Sequence, residues 1–234
     1  MRSDDLDLLR ELPLFQGISD AGFRELTQAA FLQRFPAQVT LINEGEHPDF
    51  LHVVLEGLVE MFARDRQRET VLTIVQPVST FILAAVITDE IYLKSARTLV
   101  ASRILMLPAA SVRKVFAEEP AFARAIVGEL GFRYREVVRE LKNQKLRSGA
   151  ERLAAWLLGQ REIADGAREI TIPFEKRVLA SLLGMTPENL SRAFATLAAY
   201  DVTTSGRRIV IGDPAALWKL VQPSQFIDEW KNGE

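Results

Sequence analysis

Apolar positions along this chain change their period twice. Over residues 4–30 they fall at helical spacing, with Leu6, Leu9 and Leu12, then Phe23, Leu26 and Ala30 beyond a turn at Gly17; two short helices are predicted. From Phe31 the pattern shortens to β-branched or alternating runs at 39–42, 50–55, 58–62, 70–75 and 103–107. Turn-forming stretches at 43–46, 56–57 and 65–68 divide them, and strands at such spacing predict a small β-barrel or sandwich. Past Pro108 the helical period returns, first over 109–117 and then in a long helix with Pro120 in its first turn.

Within the long helix Ala123, Val127, Leu130, Tyr134, Val137 and Leu141 recur at alternating four- and three-residue steps, flanked by charges. That is the pattern of a coiled-coil seam. An amphipathic helix lying on its own domain would also carry one apolar stripe. Here the stripe runs past the end of the β segment, which favours a partner helix and predicts a homodimer. A second helix over 149–158 follows a hinge near Arg147, Ser148 and Gly149, and a polar loop over 160–169 leads into Ile170 and Ile172.

Residues 174–197 read as two helices about a tight turn. Val178, Leu179, Leu182 and Leu183 give the first a buried face, and Gly184 suits a turn that needs positive φ. Thr186 can cap the second helix, Pro187 fits its first position, and Glu188 complements its dipole. Leu190, Phe194 and Leu197 are its expected buried face, leaving Glu188, Asn189, Ser191, Arg192 and Thr196 outward. Arg can bond guanine and Glu can accept from cytosine in the major groove. A plain helical hairpin has the same outline, but residues 202–211 continue as a β-hairpin with Arg207 and Arg208 at its tip, a wing able to meet phosphate.

Bulk charge adds little. The net charge of the 234 residues is −2, and basic and acidic residues balance from Arg147 to the end. Across 174–211, however, Lys176, Arg177, Arg192, Arg207 and Arg208 outnumber Glu175, Glu188 and Asp201. The chain has no cysteine, which excludes thiolate-held iron–sulfur clusters, zinc fingers and disulfides. No phosphate loop, nucleophile elbow or metal-ligand cluster is legible, so an enzyme is not expected. The longest apolar run, 81–87, is too short to span a bilayer, and the aspartate-rich opening lacks a secretory pattern, so a cytoplasmic protein without a membrane partner is expected.

The order of these elements resembles the CRP/FNR transcription regulators over nearly the whole chain. The resemblance is carried by Glu44-Gly45-Glu46, by 55–60 (LEGLVE), by Glu151-Arg152-Leu153-Ala154 and by 179–186 (LASLLGMT). It implies an α+β protein: an N-terminal cyclic-nucleotide-binding-type β-roll (jelly roll) over 1–118, a dimerisation helix over 119–146, and a C-terminal winged helix-turn-helix over 147–234. It also implies double-stranded DNA as partner, a second copy of the chain, and RNA polymerase. The family's E-x-x-S-R element is matched by Glu188, Ser191 and Arg192. Pro187 stands where CRP-like members carry arginine, so the FNR-like pattern and a TTGAT-type half-site fit better. A rival reading, an adaptor gripping protein through its helical C-terminus, is separated from this one by binding to an FNR-type palindrome.

The resemblance also bears on the effector. Nucleotide-binding members carry F-G-E and, further on, R-S/T-A, in which the glutamate bonds ribose and the arginine grips phosphate. This chain has Phe81-Ile82-Leu83 and Lys94-Ser95-Ala96. Leucine offers no acceptor, and lysine is a point charge without the bidentate fork, so cyclic AMP is not the expected ligand. Two readings of the apolar 81–87 run stay open: a pocket for an apolar ligand or haem, and a collapsed core with no effector. His47 and His52 are the only imidazoles that could ligate haem, and each also fits an ordinary structural role.

Overall fold

The computed structural model describes residues 3–228; residues 1–2 and 229–234, the latter the end of the segment expected as the DNA-binding domain and its tail, lie outside the described residues. The chain forms two compact units, 1–133 and 134–234. In the first, α1 (Ser3–Glu11) and α2 (Asp20–Gln28) flank a short 3-10 turn at Pro13–Phe15. Ser19 starts α2 by accepting a hydrogen bond from the Gly22 amide at 3.0 Å. The strands β1 (Phe31–Phe35), β2 (Thr40–Ile42), β3 (Phe50–Glu56), β4 (Val59–Asp65), β5 (Arg68–Val75) and β6 (Ser79–Phe81) follow. Next come α3 (Leu83–Thr88), β7 (Ser95–Thr98), β8 (Ser102–Pro108), α4 (Ala109–Glu118) and α5 (Pro120–Leu146), the last running on into the second unit.

The strands form two antiparallel four-stranded sheets, ordered β1-β8-β3-β6 and β2-β7-β4-β5. Val54, Phe81 and Ile104 of the first sheet pack with Val59, Met61 and Ala96 of the second, and fill the roll. The first sheet's other face carries Leu51, Val53, Leu55, Leu105 and Leu107 against Leu9, Leu26, Val112, Phe122 and Ile126 of the helices. β3 is therefore buried on both sides, which explains why its sequence is nearly continuously apolar instead of alternating.

In the second unit α6 (Gly149–Ile163) opens with a reciprocal capping box. The Glu151 amide donates to the Ser148 hydroxyl, and the Ser148 amide donates to the Glu151 carboxylate at 2.7 Å. Then come β9 (Glu169–Thr171), α7 (Lys176–Leu182), α8 (Pro187–Leu197), β10 (Val202–Ser205), β11 (Arg208–Ile211) and α9 (Pro214–Val221). The three strands lie in the order β10-β11-β9, with Ile170 opposite Ile209 and Val202 opposite Ile211. Buried Leu153, Leu157, Leu179, Leu190, Leu197, Ile211 and Leu217 form the unit's core.

Several expectations need correction. The polar loop over 160–169 starts later, because α6 continues to Ile163; Gln160, Arg161 and Glu162 are good helix formers, and the chain turns only at Asp165 and Gly166, both at positive φ. Strands β1, β6 and β7 and helix α3 were not legible from the alternation. Leu130 is shared between roles: it is partly buried against the roll's helical core, whereas Val127 (66% exposed), Tyr134, Val137 and Leu141 are uncovered. No helix among the described residues is long and apolar enough to cross a membrane.

Candidate nucleic-acid interface

Helices α7 and α8 meet at Gly184, which has φ +62°. A Cβ there would meet only the movable end of the Gln144 side chain, so it is the backbone conformation that calls for glycine. Thr186 sits at the N-cap of α8 in extended conformation, and its hydroxyl accepts from the Asn189 amide at 3.2 Å. Pro187 fills the first helical position, where no amide proton is needed.

This capping decides which way the side chains face. Leu190, Ala193 and Leu197 point into the core and are buried. Phe194 was expected there as well, but it is half-buried under the Lys176 ammonium, 5.0 Å from its ring centroid; Ala193 takes the core position. Glu188, Asn189, Ser191, Arg192 and Thr196 are exposed on the opposite face. The Thr186 hydroxyl, the Glu188 amide and then the Arg192 charge hold the Glu188 carboxyl below the usual carboxylate range, so it is an anion and an acceptor near neutrality. The hydroxyls of Ser191 and Thr196 donate back to the Pro187 and Arg192 carbonyls, each at 3.0 Å.

Beside α8 the β10–β11 hairpin turns at Gly206, φ +60°. Arg207 is exposed at the tip, while Arg208 is ion-paired with Glu169 across β9. The turn was legible; that pairing was not. Sequence reading also passed over a groove between α7, α8 and the wing, lined by Lys176, Arg177, Ser191, Phe194 and Thr204. One signal could have revealed it: two cations in the first turn of α7 oppose the helix dipole, a placement that folding alone does not favour.

The expected sensor residues lie apart in role. Phe81 belongs to the roll's inner core, and Leu83 to the layer under the helices. Ile82 occupies the N-cap of α3 at φ +62°. Phe81, Leu83 and Val86 of the apolar run are all buried. Ser95 is buried and accepts from the Glu44 amide at 2.9 Å. Lys94 is half-buried, and desolvation followed by the Arg133 charge lowers its pKa. His47 is exposed in its turn. His52 is buried and stacked 5.0 Å from Phe81; its Nδ1 has no partner among the described residues.

Two family models match the chain: the Crp-like helix-turn-helix domain over residues 151–220 and the cyclic nucleotide-binding domain over 32–119. The chain is 25% identical over 219 residues to the CRP-like cAMP-activated global transcriptional regulator of Mycobacterium tuberculosis, covering 90% of this chain and 97% of that protein. The fold is similar to that of FixK2 from Bradyrhizobium japonicum (TM-score 0.74, 19% identity, 84% of this chain and 99% of that one). It is also similar to that of the c-di-GMP responsive global regulator CLP from Xanthomonas campestris (TM-score 0.70, 17% identity, 82% and 99%).

Proposed function

This chain belongs to the CRP/FNR family of DNA-binding transcription regulators, and we propose that it binds a palindromic TTGAT-type site as a homodimer without cyclic AMP. The observation that carries the reading is the face of α8: a capped N-terminus, a buried back, and Glu188, Ser191 and Arg192 exposed at the family's reading positions. Glu188 and Arg192 read base edges from the major groove, Ser191 and Asn189 assist them, and Thr186 meets phosphate beside the cap. Lys176, Arg177, Arg207 and, once released from Glu169, Arg208 add backbone contacts.

The functional division runs as 1–118 for the roll, 119–146 for the dimerisation helix and 147–234 for the reading domain. Dimerisation is supported by the uncovered stripe of Val127, Tyr134, Val137 and Leu141, with Leu130 at its edge. RNA polymerase, met on DNA in the cytoplasm, is the expected further partner. The similar mycobacterial regulator is named as cAMP-activated. Here Leu83 is buried among apolar neighbours and presents no acceptor to a ribose.

Fluorescence anisotropy with a TTGAT palindrome against a scrambled duplex, at one fixed salt concentration, tests this. Specific binding at least about 10³-fold tighter is expected. Equal affinity for both duplexes would remove the reading.

A further inference from the structure

Where α5 ends, four segments of the second unit are tied together by two arginines, Arg147 with its side chain buried and Arg152 partly so. Arg147 follows the last residue of α5, and its guanidinium makes two parallel bonds to Asp228, at 2.7 Å and 2.6 Å. Both side chains are almost fully buried, at 7% and 4% exposure. The Asp228 carboxylate also accepts from the Ser224 amide at 2.8 Å, which holds the segment after α9 in a tight turn. The Arg147 guanidinium reaches back to Asn143 of α5. Its carbonyl in turn accepts from Arg152 of α6 at 2.7 Å, and Arg152 Nε donates to the Leu183 carbonyl at 2.9 Å. That carbonyl belongs to the helix-turn-helix turn, beside Gly184. One continuous path thus runs from the reading turn, through Arg152 and Arg147, to the segment after α9. Lys142 of α5, 5.6 Å from the Phe226 ring, adds a second contact between that segment and α5.

A bidentate buried ion pair is an expensive way to anchor a chain end. Two desolvated charges are favourable only when geometry is good and the remaining valences are met, as they are here. The two-residue hinge, Arg147 and Ser148, would otherwise leave the reading domain free to pivot on the end of α5.

We propose that Arg147 and Asp228 are positioning residues that clasp this hinge, fixing the angle of the α7–α8 head on α5 and so the spacing of half-sites that the regulator accepts. The proposal rests on the homodimeric, palindrome-binding reading above. Each head docks through its own α8, so a fixed angle at each hinge converts directly into a fixed separation along the duplex.

The test uses the full chain and two readouts. Hydrogen–deuterium exchange monitors the amides of 144–152 without DNA. Anisotropy monitors affinity for TTGAT palindromes whose half-sites are moved apart or together by one to three base pairs. Asp228→Asn should speed exchange in 144–152 at least about tenfold while leaving β9–β11 unchanged, because it removes the charge that holds Arg147. It should also flatten a wild-type spacing preference of at least about tenfold to about threefold or less. The double variant Arg147→Met with Asp228→Leu removes both charges at similar volume. It should fold normally and still show the flattened preference, which separates positioning from stability. Unchanged hinge exchange in Asp228→Asn, or wild-type spacing preference in the double variant, overturns the clasp. If wild-type protein binds no palindrome, the homodimeric reading falls, and the exchange readout alone decides the clasp.

Discussion

On the exposed face of α8 the Arg192 guanidinium lies one turn from the Glu188 carboxylate, which is held ionised first by the Thr186 hydroxyl, then by its own amide and last by the Arg192 charge. On DNA both side chains would exchange solvent for a base edge. Arg192→Ala should cost about 1–3 kcal/mol at one base position and leave neighbouring positions alone. Arg207→Ala, at the wing tip, should weaken all sequences alike and lower the salt slope by about one. Gel shifts with single-base operator variants check both, and an Arg192→Ala protein with full discrimination would sink the assignment of the recognition face.

Val137 is 65% exposed on α5, so Val137→Glu should leave the subunit folded and place like charges across a two-fold axis. Monomers in analytical ultracentrifugation and loss of palindrome binding are expected. Leu130→Glu should do more, lowering the thermal midpoint as well, because Leu130 also packs against the core of the first unit. A dimeric Val137→Glu protein would mean that the seam lies elsewhere.

Burial pushes the His52 imidazole down from 6.5 to about 4, only partly offset by the nearby Phe50 backbone. The folded state thus prefers the neutral ring. As pH falls from 6.5 towards 4 the unfolded chain takes up a proton that the folded chain refuses, and stability drops. The full effect is about 3 kcal/mol below pH 4, and none of it is felt above 6.5. His52→Phe should retain the stack on Phe81 and flatten urea midpoints across that window. An unchanged acid slope in the variant would show that other groups carry it.

Titration calorimetry with cyclic AMP should give no specific heat. Leu83 leaves a ribose hydroxyl unpaired, at about 1–3 kcal/mol, and Lys94 would have to serve as a point charge in place of an arginine fork. Micromolar binding would mean that other residues supply both contacts.

The helix-turn-helix was legible because its signals are local. A cap, a proline at the first position and a turn glycine sit within a few residues of one another, and each has one structural meaning. The exposed apolar stripe on α5 was legible for the same reason. What escaped was non-local. β1, β6 and β7 are short strands whose faces are set by partners far away in the chain, such as Phe81 opposite His52. Phe194 followed the helical period yet lies under Lys176, and the periodicity could not tell it from Ala193. The Arg147–Asp228 pair joins residues 81 positions apart, and neither carries any local pattern that would announce the other. The apolar run at 81–87 had two readings in the sequence because a pocket wall and a core use the same residues.

The arrangement of the small sheet has a practical corollary. β9 and β10, which flank α7 and α8 in sequence, both lie against β11, so the ends of the intervening chain are held about 10 Å apart, two strand spacings. The helices that face DNA are in effect an insert between fixed posts. Such an insert can be exchanged as a cassette: residues 174–200 of a regulator with a different operator could be transplanted here, provided Gly184 and the apolar positions at 179, 190 and 197 are kept, with the strands supplying the frame that holds any new reading head in place.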